Sequence, residues 1–272
     1  MTKTNLSFKH RIRWTIIPLL LIQVSAEAGV FTLPQLTTSQ TDPIFKVLSA
    51  DLIYRPIEGA HPLAGSITGV GFEAGITATA TSTNTISSII GQTKAVPAAN
   101  LDFGLALPFG IGIEIGFLPS VSLSGSKFGN VGGDLRLDVG KLVNGLPFDI
   151  TLRGMLTSST LSTDQILNGA NINVQYKSTQ TGAHLTVGKT LGFIEAYAGL
   201  GIANSSSTLS YSGTSSLFGS SFASGTTSVT GISTSPWLTA GVQIRLLVIS
   251  IGAQYDRIYG VDTISAKLGL RF

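Results

Sequence analysis

The sequence predicts an all-β fold: a transmembrane, antiparallel, up-and-down β-barrel of about ten strands, preceded by a short helix. Three observations carry this expectation. From about residue 65 onward the side chains alternate with a period of two. Within that alternation the charged residues keep to one face. Only 11% of the 272 residues are charged, against about 25% in a soluble domain.

The chain opens on the pattern of an export signal. Lys3, Lys9, Arg11 and Arg13 form a basic region, Trp14 to Val24 an apolar run, and Ser25-Ala26-Glu27-Ala28 a small-residue cleavage site. Residues 1–28 are therefore expected to be a signal peptide. They hold four of the 17 Lys/Arg and one of the 14 Asp/Glu, which leaves 13 of each in the remainder. The mature chain is near neutral, so binding to nucleic acid has no electrostatic support. No later stretch reaches the roughly 18 consecutive apolar residues of a membrane helix. The chain has no Cys, which removes disulfides and thiolate metal sites.

Residues 29–64 are read as an N-terminal periplasmic segment. Asp42-Pro43 has the form of an N-cap followed by Pro at the first helical position. Ile44, Phe45, Leu48 and Leu52 then share a face, and Pro56 and Gly59 end the helix. A helix over about 43–54 is expected to rest on the periplasmic rim, with insertion into the lumen as the sharper alternative. A strand pair here would raise the barrel to twelve strands.

Residues 65–272 are expected to form the barrel. Val70, Phe72, Ala74, Ile76 and Ala78 alternate with Gly and with Glu73; Leu101, Phe103 and Leu105 alternate with Asp102; Ile111, Ile113, Ile115 and Phe117 alternate with Glu114. The pattern recurs around Asp134, Arg136 and Asp138, around Asp149 and Arg153, and around His184, Glu195, Arg245, Lys267 and Arg271. These thirteen polar positions, from Glu73 to Arg271, are expected to line the lumen. A Lys or Arg facing lipid at mid-membrane would cost about 2–4 kcal/mol. A water-soluble sandwich has no reason to hold its charges inward over about ten strands. Short connections near residues 108–110, 141–147, 189–192 and 246–247 alternate with longer ones near 80–99, 118–128, 157–170 and 204–235, as periplasmic turns alternate with outer loops. Phe109, Phe148 and Phe272 are placed at the periplasmic rim, and Phe117, Tyr176 and Tyr255 toward the outer rim.

The ending Leu268-Gly269-Leu270-Arg271-Phe272 resembles the C-terminal signal read by barrel-assembly machinery, through Leu268, Leu270 and Phe272. The stretch Leu101 to Gly110, followed by Ile113 to Pro119, is similar to an uncharacterised outer-membrane barrel family carrying a domain of unknown function. So is Phe193 to Gly201. That family is distantly similar to channels for fatty acids and hydrocarbons, which are longer and have a better-defined plug. The resemblance implies a cell outer-membrane location, contact with outer-membrane lipid and assembly machinery, and passive transport of a small or apolar solute. The alternative is a non-transporting, adhesin-like barrel that displays its Ser/Thr/Gly-rich outer loops.

No cofactor or metal site is expected, and no enzyme. Past residue 28 the only histidines are His61 and His184, and neither sits in a catalytic pattern with Ser or Asp. The uncharged stretch 196–244 carries Leu217, Phe218 and Phe222 in its loop, candidates for contact with an apolar ligand or a partner.

Overall fold

The computed structural model describes residues 38–60, 70–84, 95–123, 126–139, 146–167, 170–217 and 220–272. The expected signal peptide and His61 lie outside them. One helix, α1 (Thr38–Leu52), precedes ten strands: β1 (Gly71–Ser82), β2 (Ala95–Ala106), β3 (Ile111–Leu123), β4 (Ser126–Asp138), β5 (Asp149–Leu167), β6 (Ala170–Leu191), β7 (Ile194–Leu217), β8 (Ser220–Leu246), β9 (Ile249–Ile258) and β10 (Val261–Arg271). Each strand pairs antiparallel with its sequence neighbours, and β1 closes on β10 from Glu73↔Arg271 to Thr81↔Thr263. The barrel has the ten strands expected. Residues 38–60 supply no strand, so the twelve-strand alternative does not hold.

The barrel is apolar outside and charged inside. Phe72, Phe103, Ile115, Leu135, Leu200 and Leu268 are all more than half exposed on the outer face. Glu73, Glu114, Arg136, Arg153 and Lys267, on alternate positions, are buried within. Such an exterior is stable only against lipid, where each large side chain gains about 1.5–3 kcal/mol on leaving water. One rim carries the turns at Pro108–Gly110, 192–193 and 247–248 together with Phe272. Phe109, Phe193, Leu247 and Phe272 stand exposed there as an interfacial girdle. We call this the near rim and the opposite one the far rim. At the far rim β9 and β10 are joined by Tyr259-Gly260, both with positive φ (55° and 75°), the type I′ geometry that suits the twist of a hairpin.

The strands are unequal. β5 to β8 have 19, 22, 24 and 27 residues, whereas the other six have 10 to 13. About 9–11 residues cross a bilayer. The four long strands therefore continue past the far rim as a tall wall. Outward residues on β7 run Ile194, Ala196, Ala198, Leu200 and Ile202, then change to Asn204, Ser206 and Thr208. The expected loops 157–170 and 204–235 are thus mostly strand, and 118–128 is largely the β3–β4 hairpin. Thr is a strand-favouring residue, and strand preference depends on what each face packs against, so a strand wetted on its outer face can carry Ser and Thr there.

Helix α1 departs from expectation twice. It starts at Thr38 rather than 43, with Pro43 inside it. It also lies inside the barrel rather than on the rim. Every residue from Asp51 to Ala60 is buried, as are Thr41, Ile44, Phe45, Val47, Ser49 and Ala50. The helix lies beside the tall wall, and residues 53–60 continue it as an extended segment toward the near rim. Apolar side chains surround α1 because it packs on two sides. Ile44, Val47 and Ala50 meet Trp237, Ile258 and Val261, while Phe45 and Leu52 meet Leu161, Tyr176 and Leu209. Room for this plug comes from inward glycines. A Cβ added at Gly132 would stand 2.5 Å from the Tyr54 Cβ, one at Gly252 would stand 2.9 Å from Ile57, and one at Gly231 would strike the Phe45 ring.

Candidate functional site

The plug meets the lumen wall at three levels. At the lowest, the Glu58 carboxylate sits among three wall cations: Arg136 Nη1 at 2.9 Å, Lys267 Nζ at 3.2 Å and Arg153 Nη2 at 3.8 Å. Each cation also has a carboxylate on the wall. Arg136 meets Asp138 at 2.6 Å, Arg153 meets Asp134 at 3.0 Å, and Lys267 meets Glu114 at 2.7 Å and Glu73 at 3.1 Å. Arg271 reaches Glu73 at 3.4 Å. Below Glu58, Gln243 Oε1 accepts from Gly59 N (3.1 Å), and Thr151 donates to the Ala60 carbonyl at 2.7 Å.

One level up, Arg55 pairs with the fully buried Asp256 at 3.6 Å. Asp256 also accepts from Trp237 Nε1 (2.8 Å), Thr239 (2.5 Å) and Gln254 (2.9 Å). Nearby, Thr157 accepts from Tyr54 N at 2.9 Å. Higher still, the Ser49 hydroxyl joins Ser205 at 2.7 Å and Tyr176 at 3.1 Å. Asn130 donates to the Leu52 carbonyl at 3.0 Å and to Asn100 at 3.4 Å.

All thirteen residues expected in the lumen stand on the inward alternation. Eight of them, Glu73, Glu114, Asp134, Arg136, Asp138, Arg153, Lys267 and Arg271, gather into the one network around Glu58. Asp102 is apart and accepts from Thr77. Glu195 and Arg245 form a separate pair at 2.6 Å, and Asp149 is only half-buried, near the rim. His184 packs against Trp237 with the rings tilted (centroids 5.1 Å apart) and meets Thr186 through Nδ1 at 3.1 Å. Tyr176, expected in the outer girdle, points inward and is 1% exposed. Sequence reasoning missed Glu58 and Arg55; the alternation does put Asp256 on the polar face, but gives no sign of its partner Arg55.

Among the described residues the β2–β3 ladder is incomplete. β2 and β3 pair only from Ala106↔Gly112 to Leu101↔Phe117. Both strands run on, β2 through 95–100 and β3 through 118–123, without pairing to each other. Pro97 and Pro119, which lack an N–H, stand in these stretches, and the β3–β4 register shifts between Leu118 and Val121. Outward residues at this height remain apolar: Pro97 and Ala99 on β2, level with Ala80 and Ala78 on β1. The gap thus opens within the apolar band. Asn100 and Asn130 sit on its inner side, next to the seam where Phe45, Leu48 and Leu52 pack on Phe128, Leu161, Val174 and Tyr176.

At the other candidate contact, Leu217 ends β7 and Phe222 lies in β8, at the tip of the tall wall. Phe218, and the side chains of the other two, lie outside the described residues. Leu268 and Leu270 face outward on β10, and Phe272 is exposed beside them at the near rim.

Comparison with solved structures finds outer-membrane barrels, at low identity and low TM-score. Ail, the attachment invasion locus protein of Yersinia pestis, is 16% identical, with 75% of this chain and 97% of that chain covered and a TM-score of 0.30. The translocator domain of the autotransporter NalP from Neisseria meningitidis is 12% identical, with 75% and 88% covered and a TM-score of 0.41. The outer membrane protease OmpT from Escherichia coli is 9% identical, with 79% and 99% covered and a TM-score of 0.35. No curated protein matches the sequence significantly. A family model, described as a family of unknown function (DUF6588), matches residues 23–272. Since that match spans nearly the whole sequence, barrel and plug together, the chain belongs to the DUF6588 family.

Proposed function

We propose that this protein is an outer-membrane barrel that takes up an apolar solute at its far rim, facing the cell exterior, and passes it sideways into the membrane between β2 and β3. The observation that carries this reading is the β2–β3 gap. Two strands lie side by side in the apolar band without completing their ladder, and Asn130, which reaches Asn100 beside the gap, also bonds the Leu52 carbonyl at one end of an apolar seam between α1 and β4–β8. Unpaired backbone facing lipid is costly, so a persistent gap needs a use. A straight path for polar solutes is disfavoured by the plug, whose residues 53–60 fill the near half of the lumen. The seam is side chain against side chain, so passage requires α1 to yield locally while Glu58 keeps the lower segment seated. Outer-membrane placement is supported by the apolar exterior, the near-rim girdle and the outward Leu268 and Leu270 of the last strand.

Bridging the gap tests this directly. The chain has no Cys, so Ala99→Cys with Pro119→Cys gives two unique thiols on its two sides. Joined by a short, reducible bis-maleimide linker, they are expected to cut uptake of a pyrene-labelled alkane by expressing cells to the level of cells without the protein. Cleavage of the linker restores uptake. Unchanged uptake with the linker in place, its formation verified by mass spectrometry, overturns the lateral route.

A further inference from the structure

The tall wall ends in a free strand edge. β8 pairs with β9 only from Leu246↔Ile249 to Trp237↔Ile258. From Ser220 to Pro236 it pairs with β7 alone, so among the described residues its other edge carries no ladder. Proteins usually blunt such an edge with charge, proline or a bulge. None is present here. Residues 196–244 contain no charged residue, Pro236 stands only where β9 takes over, and the one register shift in this region lies across the β7 ladder at Ser215/Ser216. Ile232, on the outer face, is 75% exposed.

We propose that this edge is the contact through which two copies of the chain, anchored in facing membranes, pair β8 to β8. The geometry selects that partner. Identical edges pair antiparallel only about a two-fold axis perpendicular to the sheet. The wall stands upright on the membrane, so this axis lies in the membrane plane and inverts one copy relative to the other. Copies in the same membrane are all upright and present β8 running in the same direction, which excludes this pairing. The sequence is self-compatible in the register that uses the whole free edge. Centred on Ser228, it sets Ser220 opposite Pro236, Gly225 opposite Gly231 and Thr226 opposite Thr230, with no charge opposed to another. The tip of each wall then just reaches the other copy's apolar band, roughly 60 Å along the strand. The inference shares with the proposed function only the outward placement of the far rim. It does not depend on uptake.

Clustering of proteoliposomes tests it. Vesicles bearing the full mature protein are expected to cluster, followed by light scattering. Thr226→Lys with Thr230→Lys puts like charges opposite one another, and the clustering rate is expected to fall about tenfold. Thr226→Glu with Thr230→Glu is expected to do the same. Mixing Lys-bearing and Glu-bearing vesicles restores clustering, whereas the same charges at Ser206, on the outer face of β7 away from the edge, leave wild-type behaviour. Wild-type vesicles that stay dispersed overturn the proposal. So do charged variants that cluster undiminished, and so does slow exchange, in the isolated monomer, of those alternate 227–234 amides that point away from β7, which would place another part of the chain on the edge.

Discussion

Glu58→Ala is expected to turn a silent barrel into a conducting one. In planar bilayers the wild-type protein should insert without discrete openings, because residues 53–60 occupy the near half of the lumen. Glu58 is the only acidic side chain of that extended segment, and three wall cations hold it. Its removal leaves no cation bare, since Arg136 keeps Asp138, Arg153 keeps Asp134, and Lys267 keeps Glu114 and Glu73. The cost therefore falls on seating the plug, not on the wall. With no charge left bare, what is lost is the hydrogen bonding of Glu58 to charged partners, worth about 1.5–3 kcal/mol. Even the lower figure makes the unseated plug roughly tenfold more common. Discrete openings in Glu58→Ala, from a barrel that still migrates as folded on unheated gels, are the expected result. A folded but silent variant would mean that the helix contacts at Ser49, Phe45 and Leu52 hold the plug alone.

The barrel was legible because lipid enforces contrast. Between Phe72 and Ala80, or Ile194 and Ile202, apolar and polar positions alternate, and a period of two is unmistakable. Past Ile202 the contrast vanishes. The outward residues meet water and the inward ones are Ser205 and Ser207, whose hydroxyls bond across to Ser49 and Tyr176. A strand polar on both faces reads as a loop, which is why the tall wall stayed hidden. The β2–β3 gap was equally invisible, since a missing ladder leaves no mark on alternation, although Pro97 and Pro119 were a local hint.

The helix was found but misplaced. The four apolar residues on one face suggested a rim. Val47, Ala50 and Ile53, away from that face, are apolar too, and a helix with a second apolar side packs on two sides rather than lying on a rim. Glu58 and Arg55 were overlooked for a related reason. The inward charges of the strands balance closely enough to pair among themselves, so no vacancy in the sequence announced a further acid. Inward glycines were the available signal: Gly116, Gly132, Gly231 and Gly252 leave a channel that wall side chains do not fill and that Tyr54, Phe45 and Ile57 do.

Lys267→Met should behave unlike Glu58→Ala although it breaks the same contact. The Lys267 ammonium lies 2.7 Å from Glu114, 3.1 Å from Glu73 and 3.2 Å from Glu58, and it is buried with them. Around Glu58 the acids Glu58, Glu73, Glu114, Asp134 and Asp138 already outnumber the bases Arg136, Arg153, Lys267 and Arg271. Removing an acid evens that balance, whereas removing Lys267 widens it. Glu114 is left with Arg153 at 3.7 Å and Glu73 with Arg271 at 3.4 Å, both looser contacts than the one lost. The expected cost is about 3–5 kcal/mol in the stability of the whole barrel, read as a lower urea midpoint for unfolding from vesicles. Glu58→Ala should shift that midpoint far less while opening the lumen. Equal midpoints for the two variants would mean that the wall and the plug are stabilised as one unit. Unequal midpoints, with Lys267→Met the lower, would identify the wall's own ion pairs as what holds the barrel and Glu58 as a guest among them.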